Sequence, residues 1–421
     1  MRVAFLIDRW QPKRGGAEAS LAALGRYLVD RGHEVLSFGV AGPRDAEERV
    51  LAPGVFQDVS SQLSLAGRIG TRGARESALA RALVAAAAAA NCDVTVGVRH
   101  LHEVDLYWPH GGGHMETLRA KAAAKADALC KSPASETSVR GRHKMFLRLE
   151  RELMLGGGAR RIACVSELIR RELECAYPEA AGRLALTANG VDLERFLPRE
   201  WRVGEGTREG VLADLFRGVA SPKEPLLIFV AREPQLKGLP ALCRALASLQ
   251  DHPWHLVVAG PARFKSVESG LAQLGKQTTR AASIRQSERW TYLPEADVAA
   301  LFSVATLAVQ PTWRDPCSLA TLESLACGRR VLTTLANGAA SHVLCGEAAP
   351  QRGAVVSTTC GSVITDPSDD VALASALRFE FERGTSNGTR RVREQAALFP
   401  AEQTHAQLEA LLQELCEARG R

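Results

Sequence analysis

The sequence predicts an α/β protein with two doubly wound, Rossmann-like domains that face each other across a cleft. Two observations predict it. Strand-like and helix-like segments alternate in two series, and a stretch over about 198–225, rich in prolines and charges, separates them. The 421 residues are too many for one core and suit two domains. Because strands that are separated by helices pair in parallel, each series predicts a parallel sheet.

The first series begins with the apolar run at 2–8. The next segment has Leu21, Leu24 and Leu28 at helical spacing, and Gly32 follows as a stop signal. The complete first series has strands at 2–8, 34–40, 93–98, 160–166 and 184–192, and helices at 15–33, 76–92 and about 167–176.

The second series begins at the apolar run 225–231. Its strands are predicted at 225–231, 254–260, 289–293, 307–312 and 330–334, and its helices at 238–249, 295–305 and from Leu319. The final helix, over about 401–418, is amphipathic. Ligands of doubly wound sheets bind beyond the carboxyl ends of the strands, so the loops after the strands are predicted to form the site.

Composition excludes several classes of protein. No apolar run reaches the roughly 18 residues that a membrane span needs, and the five-residue run before Asp8 is too short for a signal peptide. A cytoplasmic location is therefore expected. The ten cysteines are scattered singly without zinc spacing, and the net charge of +6 is too modest for a dedicated nucleic-acid binder.

The stretch from 313 to 334 carries two acids around a predicted helix start. Ser318 is a suitable N-cap for a helix that begins at Leu319, and the backbone N–H groups at 317–320 would bind an anionic group. Glu323 would point sideways towards a sugar hydroxyl, and Asp315 could accept bonds from a second hydroxylated group. The alternative is that Asp315 is a loop acid and Glu323 a surface acid.

Two further loops carry ligand-binding residue types. Arg232 and Lys237 follow the strand at 225–231, and two cations at this spacing suit a diphosphate, unless they are simply solvated. Gly15 and Gly16 precede a helix and would let the backbone approach a ligand closely. They do not form GxGxxG, and the second strand lacks a terminal acid, which disfavours a dinucleotide dehydrogenase.

Four motifs in order resemble the retaining, nucleotide-sugar-dependent glycosyltransferases of family 4, which have the GT-B fold. They are the glycine pair after the first strand, LTANGVDLERF between the two series, Arg-x4-Lys-Gly, and acid-x7-Glu beside PTW. The stretch YWPHGGGHMETL, with the basic helical region after it, is similar to lipopolysaccharide-core glucosyltransferases. This resemblance implies an acceptor-side domain over 1–198 with the final helix 401–421 packed back on it, and a nucleotide-sugar-binding domain over 199–400.

The resemblance also implies a role for each candidate residue. Arg232 and Lys237 hold the donor diphosphate, Glu323 binds the nucleotide ribose, and Asp315 lies against the donor sugar. Gly16 lets the acceptor-side loop close on the phosphate. The helix start at Ser318 and Leu319 binds the donor.

This chain departs from the family pattern at four positions. The family usually has Glu in place of Asp315, and Pro316, Cys317 and Ser318 stand where glycines commonly follow. Pro316 removes a backbone donor. These departures put the identity of the donor sugar in question more than the nucleotide diphosphate.

His110 is the candidate for the polar group over the anomeric carbon. It would hydrogen-bond the acceptor or donor or take a proton, and the alternative is a structural histidine. The spacing of His100, His102, His110 and His114 is compatible with zinc binding, but no acids accompany them in a fixed pattern. No metal and no cofactor is expected, since the nucleoside diphosphate sugar is itself the donor substrate.

The stretch 115–160 contains ten cations and five acids, which is nearly the whole net charge of the chain. It could bind an anionic membrane surface or an anionic acceptor, or be a solvated helix face. The expected activity is retaining transfer of a glucose-like hexose, from a UDP-linked donor, to a sugar of a cell-envelope glycolipid or lipopolysaccharide core. The alternatives are a non-catalytic protein that binds a nucleotide sugar or a glycolipid, and a sugar-nucleotide epimerase.

Overall fold

The chain divides into two compact units. The computed structural model describes residues 1–131, 139–198, 207–260, 263–281, 283–294, 296–384 and 389–418. The first unit comprises Met1–Leu118, Glu136–Asn189 and Glu402–Arg421, and the second comprises Arg119–Ser135 and Gly190–Ala401. The main crossing from the first unit to the second thus falls at Asn189, nine residues before the end of the predicted first domain.

The described residues of the first unit contain one parallel sheet. Its strands are β1 (Arg2–Leu6), β2 (Glu34–Gly39), β3 (Val55–Asp58), β4 (Val94–Gly97), β5 (Val104–Tyr107), β6 (Ala159–Cys164) and β7 (Leu184–Leu186). They are ordered β3-β2-β1-β4-β5-β6-β7, and every neighbouring pair is parallel. The strand order reverses beside β1, which places the ends of β1, β4 and β5 at one edge of the sheet.

Helices alternate with these strands. They are α1 (Gly16–Asp30), α2 (Ala46–Leu51), α3 (Leu65–Ile69), α4 (Arg72–Ala89), α5 (His114–Ala128), α6 (Arg142–Leu155) and α7 (Glu167–Ala176). The leucine face predicted for α1 is buried, because Leu21, Leu24 and Leu28 are all 0% exposed. Burial of each such side chain contributes about 1.5–3 kcal/mol to folding.

The second unit contains a larger, mixed sheet. Its strands are β8 (Leu226–Val230), β9 (His255–Ala259), β10 (Thr279–Ala281), β11 (Ile284–Gln286), β12 (Trp290–Leu293), β13 (Leu307–Gln310), β14 (Val331–Thr334), β15 (Val355–Thr358) and β16 (Gly361–Ile364). They are ordered β10-β11-β12-β9-β8-β13-β14-β16-β15. The six inner strands, β12, β9, β8, β13, β14 and β16, are parallel. Strands β10, β11 and β15 add antiparallel edges.

The remaining helices complete the chain. They are α8 (Arg208–Leu215), α9 (Leu239–Ala247), α10 (Glu268–Leu271), α11 (Val298–Val304), α12 (Leu319–Ala326), α13 (Ala340–Leu344), α14 (Asp370–Glu382), α15 (Thr389–Ala396) and α16 (Ala401–Glu417). On α16, the buried Glu409 accepts a hydrogen bond from Arg31 Nε at 2.8 Å and lies 2.9 Å from the His33 ring. These contacts, both within the first unit, tie α16 to the end of α1.

The predicted fold class is confirmed: the chain forms two α/β domains with parallel sheets. Some predicted elements were wrong. The separating stretch over 198–225 contains α8, in which Leu212 is buried, so it is more than a linker. The strand predicted over 184–192 is limited to β7.

Parts of four predicted segments lie outside the described residues. They are 199–206 of the separating stretch, 132–138 of the basic stretch together with its acid Glu136, residue 295 of the predicted helix over 295–305, and 419–421 of the final helix.

Strand order predicts where each unit binds a ligand. In the second unit β8 lies between β9 and β13, so the order reverses there, and a ligand is expected to bind beyond the carboxyl ends of these strands. Among the described residues, no helix is long and apolar enough to cross a bilayer.

Candidate functional site

A buried ion pair joins the loops after β8 and β13. The Lys237 ammonium lies 2.5 Å from Asp315 Oδ2, and it also donates to the carbonyl of Arg314 at 3.3 Å. Both side chains are largely shielded, at 19% and 13% exposure. The structure therefore brings together one predicted diphosphate ligand and one predicted sugar ligand, and in this structure each satisfies the other.

Backbone contacts hold the two loops together. Leu236 accepts hydrogen bonds from the Trp313 amide at 2.9 Å and from Thr312 Oγ1 at 3.1 Å. Gly238 adopts φ +82°, and a Cβ there would clash with the carbonyl of Pro311. Only glycine fits this position, so the glycine after Lys237 allows the close approach of the loops that places Lys237 against Asp315.

Asn337, on the loop after β14, organises the start of α12. Its Oδ1 accepts from the Ser318 and Ala339 amides at 3.2 and 2.9 Å, and its Nδ2 donates to Thr321 and Thr333 at 3.0 Å each. Asn337 is only 2% exposed. This residue was missed by the sequence reasoning, because no local signal shows that a distant asparagine will pair with Ser318.

The helix start is present as predicted, but one donor is already used. Ser318 caps α12 by accepting from the Thr321 amide at 3.2 Å. The backbone N–H of Ser318 donates to Asn337 and is therefore not available to a ligand, contrary to the prediction. Within the described chain, the amides of Leu319 and Ala320 have no acceptor, and these two remain as candidate anion donors.

Glu323 lies on α12, one turn beyond those amides. Burial raises the pKa of Glu323 to about 7, against an opposing effect of the exposed Arg195. The residue keeps some accessible surface, so solvent moderates this shift. Among the described residues its carboxylate has no hydrogen-bond partner. A desolvated carboxylate without partners is suited to accept bonds from hydroxyl groups of a ligand.

Arg232, the second predicted diphosphate cation, lies in the loop after β8 and is exposed. The ion pair of Lys237 and Asp315 does not include it. The structure therefore places Arg232 in the expected loop without bringing it into the contact that joins the two loops.

The first unit carries the remaining two predicted residues, on loops that end at the same edge of its sheet. Gly16 is the first residue of α1 and is exposed, after an extended Gly15. His110 follows β5. Since β1 and β5 both pair in parallel with β4, both residues lie on the carboxyl-terminal side of this sheet.

His110 has an unusual environment for a histidine. Its Nε2 atom is buried without a hydrogen-bond partner in the described structure, and its ring packs against Trp108 at a centroid distance of 4.2 Å. Burial lowers the pKa of His110 to about 3. The imidazole is therefore neutral near pH 7 and can donate or accept one hydrogen bond, whereas it is a poor base.

The other histidines of this region are engaged with carboxylates or with one another. His100 Nε2 lies 3.3 Å from the buried Glu150, and His102 Nδ1 lies 2.7 Å from Glu152. His114 Nε2 lies 3.1 Å from His143 Nδ1. No group of three or more ligands suited to a metal ion occurs in the part of the chain that the structure describes.

The basic stretch over 115–160 is partly neutralised. Lys121 pairs with Glu233 at 2.8 Å, and Arg148 pairs with Glu152 at 2.9 Å. Cations that stay exposed around the start and along the length of α6 are Arg140, Arg142, Lys144, Arg148 and Arg151. Exposed cations also lie on α5 and just after it, at Arg119, Lys121, Lys125 and Lys131, so the positive surface extends over both helices.

Two family models match the chain. The model described as Glycosyltransferase Family 4 matches residues 14–195, and the model described as Glycosyl transferases group 1 matches residues 224–378. The two matches fall in succession and include all eight predicted site residues.

Curated relatives are moderately similar. A D-inositol 3-phosphate glycosyltransferase of Mycobacterium sp. (strain KMS) is 29% identical over 227 residues, which are 53% of this chain and 46% of that protein. The chain thus spans about half the length of the first curated relatives it matches. An alpha-maltose-1-phosphate synthase of Mycobacterium tuberculosis is 26% identical over 349 residues, 80% of this chain and 81% of that protein.

Solved structures share the fold over nearly the whole chain. WaaG, described as a glycosyltransferase involved in lipopolysaccharide biosynthesis, aligns with a TM-score of 0.67 and 17% identity and covers 99% of both chains. Anabaena HepE in complex with UDP-glucose aligns with a TM-score of 0.63 and 16% identity, over 98% of this chain and all of that one. At these identities the likeness establishes the fold, which is GT-B.

Proposed function

Because this chain belongs to the group 1, family 4 glycosyltransferases of the GT-B fold, we propose that it transfers a hexose from a nucleoside diphosphate sugar with retention of configuration. The observation that carries the proposal is the contact of Lys237 with Asp315 just before the start of α12, the helix that carries the amides of Leu319 and Ala320 and then Glu323. Lys237 and Asp315 follow β8 and β13, where the strand order of the second unit reverses. Together these residues supply a cation, two anion-binding amides and two hydroxyl acceptors, which is the complement of a nucleotide sugar.

The diphosphate of the donor would lie between Lys237 and the amides of Leu319 and Ala320. A charged lysine and a helix N-terminus both stabilise phosphate, and both become more effective as negative charge develops on the leaving group. Arg232, from the same loop as Lys237, would add a second cation by turning towards the phosphate. Pro316 and the occupied Ser318 amide reduce the number of backbone donors, so this site relies more heavily on side-chain cations.

Glu323 would accept hydrogen bonds from the nucleotide ribose, and Asp315 would lie against the donor sugar. Ribose hydroxyls satisfy a carboxylate that has no protein partner, which offsets its desolvation. A uridine nucleotide is our choice of donor, and it is supported by the UDP-glucose bound to HepE, a protein of the same fold.

The transfer step follows from these placements. The acceptor hydroxyl oxygen forms a bond to the anomeric carbon, on the face from which the diphosphate leaves. The bond from that carbon to the β-phosphate oxygen breaks, and the leaving phosphate takes the proton of the acceptor hydroxyl. His110, which is neutral, supplies a hydrogen bond to the reacting sugars and does not remove the proton. Gly16 gives room for a phosphate at the start of α1. No metal enters this scheme.

The acceptor that we propose is a sugar of a cell-envelope glycolipid or lipopolysaccharide core. The cations of α6 suit an anionic acceptor or the surface of an anionic membrane. Support also comes from WaaG, a protein of the same fold that is involved in lipopolysaccharide biosynthesis. The curated relatives include an inositol phosphate glycosyltransferase and a maltose-1-phosphate synthase, so other phosphorylated acceptors belong in the same assay.

The first test is binding. Thermal shift and calorimetric titrations with UDP, GDP, ADP and their sugars should identify one nucleotide that stabilises the protein, by about 2.7 kcal/mol at a hundred times Kd. Glu323→Ala should lose this effect, while Glu382→Ala, which removes an exposed carboxylate of α14, should keep it. Failure of every nucleotide to bind would contradict the proposal.

The second test is turnover. Incubation of the protein with the stabilising nucleotide sugar and candidate acceptors should release the nucleoside diphosphate, and NMR of the product should show the donor's anomeric configuration. A donor that binds without release of diphosphate under any acceptor would favour the non-catalytic binding protein. Interconversion of the donor without an acceptor would favour the epimerase.

A further inference from the structure

Helix α3 exposes two large aliphatic side chains. Leu65 and Ile69 are 72% and 73% exposed, and at a spacing of four residues they share one face. Gly67 lies between them and faces α4, since a Cβ there would lie 3.0 Å from Ala78 Cβ. The helix therefore turns its glycine inward and its aliphatic side chains outward, the reverse of an ordinary surface helix.

This exposure is concentrated in one part of the first unit. Among its described residues, the exposed large hydrophobic side chains are Val29, Val50, Val55, Leu65, Ile69, Leu155 and Leu186. Four of these seven fall between Val50 and Ile69. Single exposed aliphatic residues are normal on a protein surface, whereas a pair on one face of a helix points to a contact.

The charged residues over 59–75, which include α3, are all positive, and the acids Asp58 and Glu76 stand just outside this segment. Arg68, Arg72 and Arg75 are exposed, and the sequence has no acid from Val59 to Arg75. The Arg68 guanidinium donates to backbone carbonyls at 2.9 and 3.1 Å, and Arg75 donates to one at 3.0 Å. In the described structure none of the three arginines pairs with a carboxylate, so their charges are not neutralised.

The topology places α3 at the functional edge of its sheet. The helix follows β3, which runs parallel to β2, and it precedes α4, which returns to the start of β4. It therefore lies on the side of the first unit that also carries the loops of Gly16 and His110.

We propose that α3 is a membrane-contacting element. Leu65 and Ile69 enter the acyl boundary of an anionic bilayer, and Arg68, Arg72 and Arg75 bind the lipid phosphates. Aliphatic side chains bracketed by arginines match the two chemical layers of such a surface. The inference extends the proposed function, because membrane contact through α3 would present the sheet edge that carries His110 to a lipid-linked acceptor. The membrane contact itself does not depend on the donor.

Sedimentation of the full-length protein with lipid vesicles tests this. Binding is expected to vesicles that mix phosphatidylcholine with phosphatidylglycerol, to fall with salt, and to be weak on phosphatidylcholine alone. Leu65→Ser with Ile69→Ser should lower the partition coefficient about tenfold or more. Arg68→Gln, Arg72→Gln and Arg75→Gln together should lower it by a similar factor on the mixed vesicles only.

Matched variants serve as controls for the removal of exposed aliphatic side chains. Val371→Ser with Leu398→Ser removes two exposed aliphatic side chains of the second unit and should leave vesicle binding unchanged. Circular dichroism and melting curves should show that all variants fold. Vesicle binding that survives the α3 variants, or that is lost only when Arg140, Arg142 and Lys144 are changed to Gln, overturns the proposal. So does a dimer in solution that the Leu65 and Ile69 variant abolishes.

The same variants separate this inference from the proposed function. The α3 variants should bind the nucleotide sugar as the wild type does. If neither the wild type nor any variant bound a donor, the transferase proposal would be contradicted. The vesicle experiment would still decide the role of α3.

Discussion

Side chains in the candidate loops of the second unit form a network of mutual contacts, whereas two buried ring nitrogens beside β5 in the first unit have no partner in the described structure. In the second unit, Lys237 pairs with Asp315, and Asn337 makes four hydrogen bonds around the start of α12. In the first unit, the buried Nε2 of His110 and Nε1 of Trp108 have no partner in the described structure. The second unit also keeps polar groups without partners in the described structure, namely Trp313 Nε1, the amides of Leu319 and Ala320 and the carboxylate of Glu323.

This difference indicates different tasks. A network of mutual hydrogen bonds fixes donors and charges in advance, which suits a ligand part of constant shape such as a nucleotide diphosphate. Unpartnered buried polar atoms destabilise the free protein, and a ligand that satisfies them recovers that free energy. We infer that the second unit is preorganised and that the loop of His110 gains its hydrogen bond on binding.

Lys237→Ala should give the largest effect, because it removes the central cation of the preorganised group. We expect kcat/KM for sugar transfer to fall about 10²–10³-fold, the usual loss for one preorganised donor at a developing charge. Lys223→Ala, which removes an exposed lysine before β8 at the opposite edge of the same sheet, is the control and should retain activity. Equal losses in the two variants would break the comparison, since the second unit would then hold no localised charge site.

Asp315→Asn should separate nucleotide binding from transfer. The neutral amide no longer competes with phosphate for Lys237, so UDP should bind several times more tightly. Transfer should nevertheless fall about 10–100-fold, because a charge-assisted contact to the donor sugar is lost. Calorimetry with UDP and steady-state kinetics measure the two effects, and Asp315→Glu should restore transfer towards the wild-type rate. A parallel loss of both properties would show that Asp315 only supports the loop.

His110→Phe tests the first unit, with opposite signs for stability and function. Replacing a buried, unpartnered nitrogen by carbon should raise the free energy of unfolding by about 1 kcal/mol. The same change should lower kcat about tenfold, because the reacting sugars lose one hydrogen bond. Since the pKa of His110 is about 3, this residue does not titrate between pH 5 and 8. The pH dependence of the rate over that range should therefore have the same shape in the wild type and the variant. Denaturant unfolding and a pH–rate profile provide the measurements.

Local sequence patterns predicted the regular core and one helix cap. The α1 face, the strand predicted at 225–231 and the cap at Ser318 follow from periodicity and residue type over a few neighbours. The structure has each of them. Short edge elements were missed, such as the hairpin of β10 and β11, because three-residue strands leave no periodic signal.

Long-range polar pairing could not be predicted from the sequence. Asn337 lies 19 residues from Ser318 along the chain, and the ion pair of Lys237 and Asp315 joins residues 78 positions apart. Such contacts depend on the strand order, which brings the loops after β8, β13 and β14 together. The resemblance predicted the residues that we propose for the donor site, but only the fold shows that the amide of Ser318 is occupied and that Glu323 is desolvated.

Glu323 gives the most specific expected effect, because among the described residues its carboxylate has no hydrogen-bond partner. Its pKa in the folded protein, about 7, lies above the ordinary value of 4.5, so the folded state holds a proton that the unfolded state releases between those pH values. The free energy of unfolding should therefore fall as pH rises from 4.5 to 7, by about 1–2 kcal/mol once partial exposure is allowed for.

Glu323→Gln should remove that part of the pH dependence and melt at a higher temperature than the wild type at pH 8, while the two should converge near pH 5. Glu382→Gln, at an exposed site, should follow the wild type. Nucleotide affinity should show the opposite trend, because ionised Glu323 accepts hydrogen bonds from hydroxyl groups, so wild-type binding should strengthen from pH 6 to pH 8 and the variant's should stay flat. If the Glu323→Gln melting curve tracks the wild type at every pH, Glu323 is an ordinary solvated acid, and the contrast between an unpaired carboxylate and its satisfied surroundings fails.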